Sequence, residues 1–229
     1  MNGRETILSR IKDAVKNSSG PFSTDENNEL KIKNGFASIT PKDNTGLWTQ
    51  FKNELEIISG EFHFVKNIDN ATEIISKFLI ESKFERIGIS KEKICSHAAE
   101  IIHKRFSNIK IISPDKLSYQ ERKKEYSETE TAVVHPAYAV ADIGSLVFPY
   151  VQTGTSYPHF LCDNIFAIIN KNQIVANQFE LFEKIDLEEA KNMVFVTGPS
   201  RTADIEKVLV LGAHGPRKLV VIVCSEEFQ

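Results

Sequence analysis

The chain has 229 residues, and 28 Lys and Arg against 31 Asp and Glu give a formal net charge of -3, which excludes a strongly basic nucleic-acid or membrane-surface binder. With 41% hydrophobic and 26% charged residues, the composition suffices for one large core or two packed ones and excludes disorder over most of the length. No apolar run approaches the roughly 18 to 20 residues of a bilayer span, and the N-terminal segment lacks the apolar centre of a secretion signal, so a cytoplasmic protein with no membrane span is expected.

Residues 4–16 place Ile7, Leu8, Ile11 and Val15 at helical spacing, which predicts an amphipathic helix ending at Asn17-Ser18-Ser19-Gly20-Pro21. From there to about Thr45 the chain is polar and reads as an exposed, flexible connection. Leu47, Phe51, Leu55 and Ile58 then recur at helical steps between Gly46 and Ser59, with Trp48 beside the stripe and Gly60 as the expected stop. Residues 1–60 are thus read as an N-terminal helical section.

From Glu61 the pattern changes. EFHFVKN, ERIGIS and IKIIS are strand-like, and NATEIISKFLIES and KEKICSHAAEIIHKRF between them are helix-like. This is the rhythm of a parallel sheet. SYQERKKEYSETE reads as a solvated surface helix, and TAVV, YAVA, SLVF and DNIFAIIN as further strands. IVANQFELFEKI is helix-like, and the end of the chain reads as strand NMVFVT, a Gly-Pro loop, a short helix ADIEKVLVL and strand KLVVIV. The expected fold over residues 61–229 is therefore a three-layer α/β domain with a mainly parallel sheet.

Chemistry is best placed at Thr197-Gly198-Pro199-Ser200-Arg201-Thr202-Ala203-Asp204, where a strand runs into a glycine turn and an expected helix start. Gly198 permits close backbone approach, Ser200 or Thr202 can cap the helix, and Arg201 offers a bidentate donor to a carboxylate or phosphate. The same stretch also fits a plain reading in which the hydroxyls only cap, Asp204 and Glu206 only oppose the helix dipole, and Arg201 only pairs with one of them. A second cluster, Gly212-Ala213-His214-Gly215-Pro216-Arg217, offers His214 as a base or an anion donor, and Arg217 as a ligand contact or a surface cation. A third, Asp142-Ile143-Gly144-Ser145, breaks two strands where a ligand or another backbone approaches, or where the chain merely bulges.

His159 and Asp163 are spaced four apart in an extended-looking stretch, and the other histidines, His135 among them, show no ligand spacing, so no metal site is expected. Neither nucleotide fingerprint is present, and no serine elbow or cysteine with a base supports nucleophilic catalysis. Cys95, Cys162 and Cys224 are far apart and form no C-x-x-C pair, the pattern of core thiols.

The stretch TGPSRTADIEKVLVLGAHGPRKLVVIV resembles the C-terminal signature of the lactate utilization protein C family, the group carrying the LUD domain. ADIGSLV resembles that family's A-E-T-G-[ST]-L-V, with Gly144 and Ser145 in place but Asp142 for Glu and Ile143 for Thr. The resemblance implies a fold similar to the NagB/RpiA/CoA transferase-like α/β group. It also implies a role as the non-iron–sulfur component of a system oxidising L-lactate to pyruvate, beside two iron–sulfur partner proteins and with no cofactor of its own. An anionic ligand would sit against Gly144, Ser145, Gly198, Ser200, Arg201, Thr202, Asp204, His214, Gly215 and Arg217. The alternative is an independent enzyme acting on a phosphorylated, folate-like or coenzyme A-type ligand.

Overall fold

The computed structural model describes residues 44–150, 157–186, 190, 192–203, 209–211 and 215–228; the predicted helix over residues 4–16 and the connection as far as residue 43 lie outside them. In chain order the first half runs α1 (Asn44–Ile57), β1 (Glu61–Val65), α2 (Ile68–Ser82), β2 (Arg86–Ile89), α3 (Lys93–Arg105) and β3 (Lys110–Ile112). Next come α4 (Tyr119–Ser127), β4 (Thr131–Val134), β5 (Tyr138–Val140), β6 (Ser145–Tyr150), α5 (Tyr157–Leu161) and β7 (Asn164–Asn170). The last elements are β8 (Ile174–Val175), α6 (Gln178–Lys184), β9 (Asn192–Val196), β10 (Arg201–Ala203), β11 (Leu209–Leu211) and β12 (Lys218–Cys224).

Six strands pair in the order β1-β12-β7-β4-β2-β3, every pairing parallel. The β12 and β7 strands at its middle are buried over nearly their whole length, which is why DNIFAIIN and KLVVIV read as continuous apolar runs rather than alternations. Successive residues nevertheless serve opposite faces. Ile165, Ala167 and Ile169 of β7 join one core cluster with Val221 and Val223, whereas Phe166 and Ile168 join the other with Val220 and Ile222.

Helices α2 and α3 cover the second of these faces through Ile75, Leu79, Cys95 and Ile102. The first is covered by α1, α4, α5 and a four-stranded sheet, β8-β5-β6-β9, in which β6 runs antiparallel to both neighbours. The mixed α/β, mainly parallel architecture read from the sequence is the observed one. Helix α1 is part of it, since Leu47, Phe51 and Leu55 belong to the same cluster as Val221 and Val223.

Several elements differ from their sequence reading in instructive ways. The stop of α1 is shared, with Ser59 taking the left-handed conformation (φ 67) and the Gly60 N–H donating to Leu55 O at 2.8 Å. IVANQFELFEKI splits into the short strand β8 and helix α6, because the Asn177 side chain accepts from the Phe179 and Glu180 N–H groups and starts the helix there. Of the expected helix ADIEKVLVL, the described residues, Ala203 and Leu209–Leu211, are strand. Its two ends belong to β10 and β11, which pair antiparallel with Arg201 opposite Leu211; a short apolar run such as LVL carries no period that separates helix from strand.

Helix α4 is less of a solvated surface than its charge implied. Tyr126 is fully buried, and its hydroxyl donates to Ile89 O at 2.6 Å and, at 3.3 Å, to Ile112 O. These carbonyls end β2 and β3, so one phenol ties the tips of both strands. On the outer side Glu125 accepts from Arg86 at 2.6 Å and from Lys110 at 3.0 Å. Tyr126→Phe leaves both carbonyls without that donor and should cost about 1 to 2 kcal/mol, read as a lower urea midpoint at unchanged slope.

Candidate functional site

The residues singled out in the sequence fall into two groups, and helix α1 stands between them. Gly144 and Gly198 both have positive φ, 62 and 76, and both press against the C-terminal end of that helix. A Cβ on Gly144 would lie 2.6 Å from Leu55 N, and one on Gly198 would lie 2.9 Å from Ile58 O. Ser145 is fully buried and exchanges a hydrogen bond of 2.7 Å with Thr197, the residue before Gly198. The two strand breaks are thereby joined through a hydroxyl pair as well as through the helix they seat. Asp142, one turn away, has its carboxyl raised by desolvation, with a smaller push from Glu54.

Beyond Gly198 the loop closes on the turn before β12. The Ser200 N–H donates to Pro216 O at 2.7 Å, and Gly215, at φ 152, packs on Ser200, where a Cβ would come within 3.2 Å of the Ser200 Cβ. A cleft of about 410 Å3 opens beside this junction, lined by Gly198, Pro199, Ser200, Gly215 and Pro216 with Ile58, Phe160 and His159. Gly198, Ser200 and Gly215 thus come together at one cleft. Arg217 does not line the cleft; its backbone N–H donates to Asp163 O and its guanidinium lies 3.5 Å from the Asp163 carboxylate. Arg201 and Thr202 have strand backbone in β10, their side chains lying outside the described residues, as do Asp204 and His214 altogether.

Among the described residues, Arg201–Ala203 form β10 where the helix start was expected. Among the described residues, the polar side chains that line the cleft are those of Thr197, Ser200 and His159. That ring is buried and meets Phe148 edge-on, with centroids 3.9 Å apart.

His159 also lines a second and larger crevice of about 550 Å3 that sequence reasoning missed. It lies at the carboxyl ends of β2, β4 and β7, where Ser90 and His135 follow β2 and β4 directly and Gln173 ends the short 3-10 turn after β7. Strand β2 is followed by its neighbour β3 on one side, and β4 by its neighbour β7 on the other, so the chain reverses direction across the sheet between them. Such a switch point is where open α/β sheets hold their ligands. The individual signals were present, a Ser after RIGI and a His after TAVV, but only the strand order makes them neighbours.

The groups in this crevice are fixed by one another. The His135 Nδ1 faces Ile168 O at 2.7 Å, so that nitrogen carries the proton and Nε2 is the acceptor, 3.3 Å from the Gln173 amide nitrogen. Gln173 donates in turn to Ala137 O and accepts from Asn170 N–H. Ser90 donates to Glu92 and sits 3.3 Å from the Cys95 sulfur, whose thiol is pushed up to about 12 by burial and is no nucleophile. Burial lowers the pKa of His135 below its ordinary 6.5. Among the described residues no three His, Cys, Asp or Glu side chains are grouped to hold a metal ion, and no helix is long and apolar enough to cross a membrane.

An open parallel α/β protein with glycine-turn motifs beside such a crevice has recognisable relatives. The chain belongs to the LUD domain family, whose domain matches residues 48–224. Lactate utilization protein C of Bacillus pumilus is 29% identical over 116 residues, 48% of this chain and 48% of that protein. Its namesake in Geobacillus thermodenitrificans is 38% identical over 106 residues, 43% of this chain and 44% of the relative. The matched stretch thus spans a little under half the length of these relatives. A crystal structure of a DUF162 family protein from Deinococcus radiodurans superposes with a TM-score of 0.60 at 17% identity, covering 80% of this chain and 99% of that one, which bears on the fold alone.

A histidine held neutral in the fold takes up its proton more readily once unfolded, so the unfolded state binds more protons below pH 6.5 and stability falls as the pH drops through that value. Urea titrations from pH 7.5 to 5 should show this decline, and His135→Asn, which keeps a donor for Ile168 O, should flatten it.

Proposed function

We propose that this chain is the cytoplasmic, non-iron–sulfur component of a system that oxidises L-lactate to pyruvate, and that it holds a small anionic ligand in the cleft between the Gly198-Pro199-Ser200 loop and the Gly215-Pro216 turn. The family membership and the names of its relatives support the system. One observation carries the site: the two motifs that resemble the lactate utilization protein C signature, apart in sequence, are stitched at one cleft wall by the hydrogen bond from Ser200 N–H to Pro216 O.

The chain's own contribution is binding and positioning. Seated by Gly198 and Gly215, the loop presents short side chains to a ligand, and Arg201, next in sequence to Ser200, supplies the cation that a carboxylate requires. Oxidation itself belongs to the assembly, with two iron–sulfur proteins as the partners that take the electrons.

The test is affinity capture of the tagged full-length chain from cells growing on L-lactate, with the eluate assayed for iron–sulfur absorbance and lactate-dependent dye reduction. Both should be recovered. Recovery of the chain alone, from cells shown to express intact partners, would overturn the subunit reading. Arg201→Ala should still capture the partners and melt normally, yet lose dye reduction by about tenfold or more, as expected for a charged hydrogen bond made to a ligand. Full activity of that variant would remove Arg201 from the site.

A further inference from the structure

The crevice at the switch point is too large for a ligand of the size of lactate. Its volume of about 550 Å3 corresponds to roughly eighteen waters, whereas a six-heavy-atom hydroxy acid displaces only about three or four. It lies in the range of sites that enclose drug-sized or nucleotide-sized molecules.

Its lining is divided by chemistry. Half-buried at the strand ends are the His135 Nε2 acceptor and the Gln173 amide, locked in orientation by Ile168 O, Ala137 O and Asn170 N–H. Groups of this kind read the hydrogen-bonding edge of a heterocycle, and the 3.3 Å contact between them is long enough for a ligand N–H to compete for the imidazole lone pair. Tyr138 and Pro149 supply an apolar wall for a flat ring. Lys91 and Lys184 line the same crevice from exposed positions, against the single carboxylate of Glu92, which already accepts from Ser90. Lys184 is shared with Glu180 on its own helix, at 2.7 Å, so Lys91 is the freer of the two for an incoming anion.

We propose that this crevice is a second binding site, separate from the Gly198–Ser200 cleft, for a phosphorylated ligand bearing a planar heterocycle, with His135 and Gln173 reading the ring edge and Lys91 and Lys184 receiving the phosphate. The site requires no glycine-rich phosphate loop, because the strand-end geometry and the lysines take its place. It does not depend on the lactate reading, since none of these residues belongs to the motifs on which that reading rests.

The test is calorimetric titration of the full chain with AMP, GMP, CMP, UMP and FMN, and with L-lactate as the small-acid probe, followed by NMR of the histidine rings. At least one ring-bearing monophosphate should bind with a Kd below about 1 mM and move the His135 ring signals. Lys91→Ala, at an exposed position, should weaken it about tenfold, and His135→Asn should weaken it as much with a normal melting curve, while Ser200→Ala leaves it unchanged. No saturable binding of any monophosphate to folded protein at about 5 mM would overturn the proposal. So would binding that survives both Lys91→Ala and His135→Asn, or binding abolished by Ser200→Ala, which would move the ligand to the other cleft.

Discussion

Helix α1 lies on two glycines, and much of the molecule around the clefts depends on that contact. Gly144 comes from the break between β5 and β6, and Gly198 from the end of β9, so two turns distant in sequence present bare backbone to the same helical end. Positive φ at both positions makes a side chain costly there twice over, once for the backbone conformation and once for the space it would take from Leu55 and Ile58. In return the helix buries Leu47, Phe51 and Leu55 against the parallel sheet, each contributing about 1.5 to 3 kcal/mol. Ser145 and Thr197 fasten the two breaks together where the helix crosses them.

This contact also shapes the cleft. Ile57 and Ile58 at the end of α1 form one wall, the loop carrying Gly198 and Ser200 forms another, and the Gly215-Pro216 turn closes it through the bond to Ser200. Movement of α1 would therefore be felt at the cleft as well as in the core it shares with the main sheet. His159, held edge-on to Phe148, belongs to the walls of both this cleft and the crevice at the strand ends. An occupant of one is in a position to influence the other through that ring.

The parts of the fold that were legible in the sequence are those with a strong period or a long apolar run. The alternation from β1 to β3 and the buried strands β7 and β12 could be read directly, because burial on both faces leaves no room for polar interruptions. The hairpin of β10 and β11 could not, since its pairing is set by residues facing each other rather than by any local period. The same limit applied to function. Gly198, Ser200 and Gly215 announced themselves as turn chemistry, whereas the Gly144 break read as a bulge or as the approach of a ligand or another backbone, and only the fold shows that α1 backbone packs there. His135 looked incidental, and Ser90 carried no signal of its own, because adjacency of β2 and β4 is a property of strand order alone.

The account rests on the claim that these glycines hold α1 in place and through it the cleft. Amide hydrogen exchange of Gly144→Ala measures this directly. The prediction is a loss of protection concentrated in residues 51–58 and in the 198–200 loop, with β7 and β12 retaining the slow exchange of the wild-type core. Unchanged protection in α1, or a loss spread evenly over the parallel sheet, would contradict it.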